Sequence, residues 1–245
     1  MSATPYILPT SQRLLRAQQR DVDAARAFWE PQFQAVLKLA RRYGYEREHS
    51  HQVMRLALRL FDQLWPLHRL SPQERFWLQC AAVLHDIGRY KEREHHKVAL
   101  RIVLRSPLLP FDKKMRRVIG SIARYHTKAA PNKKHEHYSA LSERKRLIVR
   151  QLAAILRLAD ALDRGHSKRV KRLWCDISKD CIVLRCVTRE GSKTGPLRER
   201  AREKGRLLVK VFKRKLILRT ATIAALRREG LLQLSDSGML KFVVA

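Results

Sequence analysis

Ala81-Ala82-Val83-Leu84-His85-Asp86-Ile87-Gly88 is the stretch on which the reading of this chain turns. An apolar run meets a histidine and an aspartate, and a glycine closes it. The pattern leading in is helical: Phe76, Cys80, Val83, Leu84 and Ile87 keep the spacing of a buried stripe. Ser71, Pro72 and Glu74 supply the start signal: an N-cap, a proline suited to the first helical position, and the glutamate that completes a capping box. Gly88 suits the left-handed position that terminates a helix. His85 and Asp86 therefore fall in the last turn, where a helix end meets a cleft. A His-Asp pair alone says little. Two other apolar helical segments also carry ligand-type side chains, His49 on one and Asp160 on the other. Three separated helices offering nitrogen and oxygen donors are how a helical bundle builds a metal site.

Helical periodicity extends outward in both directions. Residues 1–11 contain Pro and Ser and are expected to be flexible. Residues 12–43 read as helix, with Pro31 as a candidate break point and a core stripe of Phe33, Val36, Leu37 and Ala40. Gly44 ends that helix, and the next is predicted from about Glu46 to Trp65. After the His-Asp turn, helices are predicted over about 94–105 and 111–126. A loop follows over 127–138, and then a long helix over 143–164 capped by Ser142. The stripe of the long helix is read as Leu147, Gln151, Ala154, Ile155, Leu158 and Leu162.

The pattern changes after Gly165. Arg172–Ile177 and Cys181–Thr188 read as strands about a Ser178-Lys179-Asp180 turn, Leu197–Phe212 as helix, and Lys215–Thr220 as a third strand. The predicted fold class is mainly α: a helical bundle over 12–165, a small β-β-α-β, hence α+β, appendage over 166–220, and a C-terminal tail over 221–245 with a turn at Gly230-Leu231-Leu232.

Composition narrows the function classes. Hydrophobic residues make up 45% of the 245, enough for a core. There is no signal-peptide pattern and no apolar run near the length of a membrane span, so a cytoplasmic protein without a membrane partner is expected. Cys80, Cys175, Cys181 and Cys186 include no Cys-x-x-Cys and read as reduced thiols. The 53 Lys and Arg against 22 Asp and Glu give a formal charge of +31. A domain this basic repels itself unless anions sit on it. Polyphosphate, nucleic acid or phosphorylated nucleotides are the matching partners. The 166–220 segment alone holds 18 basic and 5 acidic residues.

The motifs resemble the HD metal-dependent phosphohydrolase superfamily. The closest resemblance within it is to the C-terminal helical domain of the exopolyphosphatase/guanosine pentaphosphatase (Ppx/GppA) family, here as a stand-alone module. His49-Ser50-His51-Gln52-Val53 looks like that family's first ligand helix, His95-His96-Lys97 like its His-His-Lys segment, and Arg124-Tyr125-His126-Thr127-Lys128 like its Arg-Tyr-His motif. Leu158-Ala159-Asp160-Ala161-Leu162-Asp163-Arg164 resembles its last ligand helix. Val98 stands where the family often has a further histidine. The ATPase-like domains that precede this module in full-length members have no counterpart here, so nothing of their catalytic site carries over.

The resemblance implies His49, His85, Asp86 and Asp160 as metal ligands, and His96 and His126 as residues for a second metal or for phosphate. A mixed imidazole and carboxylate set suits a divalent ion such as Mn, Fe, Co, Ni or Zn, with Mg also compatible. Asp163 reads as a partner of a ligand, His51 as a surface residue, and His135-Glu136-His137 as a loop feature. Arg89, Lys91, Arg124, Lys128 and Arg164 are candidate phosphate-binding cations. Two functions fit. One is a metal-dependent phosphohydrolase with Asp86 as the central catalytic residue, acting on nucleotides, guanosine tetra- or pentaphosphate, or polyphosphate. The other is a non-catalytic module that binds polyphosphate or nucleic acid. The retained His/Asp set favours the first.

Overall fold

The computed structural model describes residues 27–89, 94–228, 232–234 and 240–242. The expectations for residues 1–11, for a helix before residue 27, for Lys91, and for a turn at Gly230 and Leu231 lie outside them. Among the described residues, ten helices and a small mixed sheet appear in the order α1 (27–42), α2 (Arg47–Gln63), α3 (Trp65–His68), α4 (Pro72–Leu84), α5 (His95–Arg105), α6 (Lys113–Arg124), α7 (Glu136–Ser139), α8 (Glu143–Leu162), β1 (Val170–Ile177), β2 (Cys181–Thr188), α9 (Gly195–Phe212), β3 (Lys215–Thr222) and α10 (Ile223–Arg228). Two short paired strands follow, β4 (Leu232–Leu234) and β5 (Leu240–Phe242). The fold is mainly α with a small α+β part, as the hydrophobic periodicities require.

Local chemistry explains the element ends. Ser71 and Glu74 form the expected reciprocal capping box, with Pro72 in the first turn of α4. Asp112 caps α6 through a 2.6 Å bond from the Met115 N–H, and Ser142 caps α8. Gly44 takes φ +60 after α1. Three details differ from expectation. Helix α1 runs through Pro31 without a break. The 127–138 loop ends in the short helix α7, which begins at Glu136. Gly88 is not left-handed. It is required for space, because a Cβ there would overlap the His95 carbonyl oxygen and lie 2.8 Å from Val98 Cβ. The His-Asp turn is thus pressed against the first turn of α5.

Helix α8 is the axis of the bundle. It packs on α2, α4 and α6, and it buries residues on most of its circumference, among them Val149, Leu152, Ala153, Ile155, Leu156 and Ala159. A one-sided stripe was therefore the wrong template, and Leu147 at its edge is exposed. Each fully buried leucine in this core contributes roughly 2 kcal/mol relative to exposure.

The sheet has the order β1-β2-β3, with β1 and β2 antiparallel and β2 and β3 parallel. Helix α9 is the crossover that a parallel pair requires. The core runs across the change of pattern at residue 165: Val170, Leu173, Leu184, Ala201 and Leu208 share one cluster with the bundle. Helix α2 is also tied to β1, through Gln52 Nε2 donating to the Val170 carbonyl at 2.8 Å and the Cys175 N–H donating to Gln63 Oε1 at 2.7 Å. This fixes α9 beside α8, so its cations overhang the end of the helix that bears Asp160. All four cysteines are free.

Candidate metal centre

Helix α2 contributes His49, the turn after α4 contributes His85 and Asp86, the C-terminal end of α6 contributes His126, and the last turns of α8 contribute Asp160 and Asp163. These side chains converge. His49 Nε2 lies 3.5 Å from Asp160 Oδ1, His85 Nε2 lies 3.6 Å from Asp86 Oδ2 and 3.9 Å from Asp160 Oδ1, and His126 Nε2 lies 3.4 Å from Asp86 Oδ1. Two overlapping sets, His49–His85–Asp160 and His85–Asp86–His126, each have ligand atoms within 4.8 Å of one another and could hold an ion. His85 belongs to both.

The ring orientations are fixed by what lies behind each imidazole. His49 Nδ1 is 2.9 Å from Asp163 Oδ2, His85 Nδ1 is 2.8 Å from the Ala82 carbonyl oxygen, and His126 Nδ1 is 2.7 Å from the Ala123 carbonyl oxygen. Those oxygens accept, so each Nδ1 carries a hydrogen and donates it. In the neutral ring the lone pair is then on Nε2, and all three Nε2 atoms face the carboxylates. His85 Nε2 is buried and has no hydrogen-bond partner. Lone pairs and carboxylate oxygens aimed at one another in a water-poor site call for a cation between them.

Protons answer that demand in part. Burial works to lower the pKa of His49, but its bonds to Asp160 and Asp163 and the charge of Asp86 outweigh burial and raise it to about 9. His126 is likewise raised against burial by Asp86 and Asp160. His85 is the exception: burial dominates and pulls it down to about 4, leaving it neutral. Asp86 is held well below the usual carboxylate range; burial opposes this, and the surrounding His85, His126 and His95 overcome it. Asp160 is also lowered, against burial, mainly by the bond to His49.

The centre forms the floor of a cleft of about 520 Å³ lined by His49, Asp86, His95, His126 and Asp160, with Arg89, Arg164, Arg200 and Lys204 as its cations. Arg200 and Lys204 come from α9, and Lys204 Nζ donates to Thr127 Oγ1 at 3.1 Å. Arg89 Nη1 stands 3.4 Å from both Asp86 and Glu46. His166 stacks on His49 at 3.9 Å and bonds Glu46.

Of the residues singled out in the sequence, His49, His85, Asp86, Asp160 and His126 come together, and Arg89 and Arg164 line the cleft. His96, Arg124 and Lys128 are not among the residues that line it. His95, rather than its neighbour His96, reaches Asp86 at 3.6 Å and His126 at 3.4 Å. Asp163 stands behind His49, as expected of a ligand's partner. Sequence reasoning missed His95, Glu46, His166, Arg200 and Lys204. His95 was legible as half of a His-His pair. The two α9 cations carried no signal, being two among 53.

The site thus defines a helical bundle that pools imidazoles and carboxylates beneath several cations. More particularly, the chain belongs to the family of the Ppx/GppA phosphatase, domain III, whose family model matches residues 33–190. A comparison with curated proteins finds no match. No helix among the described residues is long and apolar enough to cross a membrane.

Proposed function

We propose that this chain is an HD-type, metal-dependent phosphohydrolase, acting in the cytoplasm on a phosphate ester or anhydride of a polyanionic substrate: a nucleotide, guanosine tetra- or pentaphosphate, or polyphosphate. The observation that carries this is the convergence of three Nε2 lone pairs, each fixed by an Nδ1–H bond behind it, on Asp86 and Asp160. Family membership supports phosphate chemistry.

His49, His85, Asp86 and Asp160 would hold a divalent ion, with His126 and His95 available on the Asp86 side. The bound ion supplies a Lewis acid and lowers the pKa of attacking water. The chain's own groups do the rest. Asp86 accepts a hydrogen bond from the nucleophile and fixes its direction. Arg164, Arg200 and Lys204 offset charge developing on the phosphoryl oxygens, as planar forks and a point charge suited to those oxygens. His95, a partly buried imidazole whose pKa is lowered by burial and by the nearby His126, would take a proton from the attacking water and return it to the leaving oxygen.

Phosphate release should be screened over those substrates with Mn²⁺, Co²⁺, Zn²⁺ and Mg²⁺. Asp86→Ala should lower the rate at least about a hundredfold while leaving polyanion binding largely intact, because that binding is spread over many cations. Chelation should mimic the substitution. One observation favours a second reading: the +31 charge is in excess of what catalysis on one phosphoryl group needs. If the wild-type chain binds polyphosphate tightly yet releases no phosphate from any substrate with any of these ions, it is a binding module.

A further inference from the structure

On the far side of the first turns of α5 lies a second concavity, of about 350 Å³, that shares no lining residue with the metal cleft. It is lined by Lys97 and Arg101 from α5, by Arg124 from the end of α6, and by His135 and His137 from the α7 segment, with Glu94 at its edge. The two sides of α5 divide within one dipeptide: His95 faces the cleft, and His96 packs edge-on against it and is buried.

Arg124 is the unusual residue here. It is only 6% exposed, its Nη1 is buried without a hydrogen-bond partner, and no described carboxylate forms an ion pair with it. Its one described contact is with the Tyr125 ring, 5.8 Å from the guanidinium carbon. A guanidinium cannot shed its proton at any ordinary pH, so its burial without a directly paired carboxylate is costly, and Glu94 acts on it only from a distance. Two other buried nitrogens close by are also unpartnered: His137 Nε2, on the lining, and His96 Nδ1. Tyr125 Oη bonds His135 Nδ1 at 2.7 Å; when that hydroxyl donates, the His135 proton is on Nε2 and is free for a ligand. His135 and His137 stack with centroids 5.7 Å apart, which holds both rings in place. Glu94 is paired with Lys97 and its charge also reaches Arg124, so the lining sets one carboxylate against three cations and stays net positive. Burial and the Arg124 charge hold His96 and His137 neutral, near pKa 4, as expected where the local potential is positive.

Two arguments separate the candidate ligands. A cation is excluded by Lys97, Arg101 and Arg124 around one small space. A carboxylate offers two oxygens, whereas this pocket presents guanidinium, ammonium and imidazole nitrogens from α5, the end of α6 and the α7 segment. A tetrahedral anion with several charged oxygens matches that better.

We propose that this pocket is a second anion site that binds one phosphoryl group, either free orthophosphate or the terminal unit of a polyphosphate chain, with Arg124 as its buried anchor. The site stands whether or not the metal cleft is catalytic. In chelator, so that the cleft holds no metal, calorimetric titrations of the full chain with orthophosphate and with tripolyphosphate test it. Arg124→Gln should weaken binding at least about tenfold. Lys97→Ala with Arg101→Ala, both exposed and remote from the cleft, should do the same and decides the matter if Arg124→Gln fails to fold. Arg164→Ala with Lys204→Ala removes what the cleft cations contribute, and the binding that survives this pair should still fall at least about tenfold when Arg124→Gln is added. Saturation by orthophosphate identifies a free-phosphate site; saturation by tripolyphosphate alone identifies a chain-end site. The proposal is overturned if the wild-type chain binds neither, or if only the cleft variant loses binding.

Discussion

The two sides of helix α5 make opposite demands. On the His95 side, imidazole lone pairs and carboxylates face one another and require positive charge between them. On the Lys97 side, a buried guanidinium and unpartnered nitrogens require negative charge. The residue types overlap, since histidines line both. The difference lies behind the rings. His49, His85 and His126 each have an oxygen acceptor fixing Nδ1–H, which turns a lone pair forward. His135 meets a hydroxyl at Nδ1, and where that hydroxyl donates, the ring proton is on Nε2, free for a ligand. The atom behind an imidazole decides whether it looks for a cation or an anion.

The largest effect expected from this contrast is on pH. His49 is raised from 6.5 to about 9 in the metal-free fold. A raised pKa stabilises the fold fully below the unfolded value of 6.5, and that contribution is lost as pH rises through about 9. Denaturant titrations of the metal-free chain should therefore show a loss of about 3 kcal/mol between pH 6 and pH 9.5 from this group. Metal binding must displace the same proton, so affinity should fall about tenfold per pH unit below 9. A pH-independent metal affinity would remove His49 from the centre. The anion pocket has no such raised imidazole on its lining, His135 and His137 both being lowered, so it should show no transition near pH 9.

A smaller change is expected at the acceptor behind His49. Asp163→Ala leaves the proposed ligands in place but frees the ring to rotate, and it should cost 10- to 100-fold in metal affinity, roughly. Unaltered affinity in that variant would mean that Nδ1 orientation does not matter. Smaller again is Gly88→Ala, which should destabilise the fold by about 2 kcal/mol by pushing α5 away from the His-Asp turn. Because α5 is the wall between the two regions, this one variant should weaken both metal and phosphate binding. Loss of only one would show that the two are set by different elements.

The sequence was most legible where a local signal and a long-range demand agree. Ser71, Pro72 and Glu74 fixed the start of α4, and period-two stretches marked β1, β2 and β3. The long-range set His49, His85 and Asp160 was readable because each lies on a segment with a buried apolar stripe and within a motif that resembles the Ppx/GppA family. Legibility failed where packing rather than propensity decides. Gly88 reads as a helix terminator but serves to admit the His95 carbonyl. Leu147 fits a stripe on a one-sided helix, yet α8 is buried nearly all round. Between His95 and His96, only the direction in which α5 leaves the turn tells which ring faces Asp86. Arg200 and Lys204 enter the cleft because the β2–α9–β3 crossover lays α9 on α8, a tertiary fact with no counterpart in the spacing of charges.

The central claim is that the imidazoles and carboxylates of α2, α4, α6 and α8 form one divalent-metal centre. Calorimetric titration of the metal-free chain with Mn²⁺, Co²⁺ or Zn²⁺ at pH 8, in two buffers of different ionisation enthalpy, tests it most directly. The account predicts saturable binding with release of about one proton per ion, since His49 must give up its proton on coordination, and loss of that binding in His85→Ala and in Asp160→Asn. Absence of saturable binding by all three ions, or binding that survives both substitutions, would contradict it.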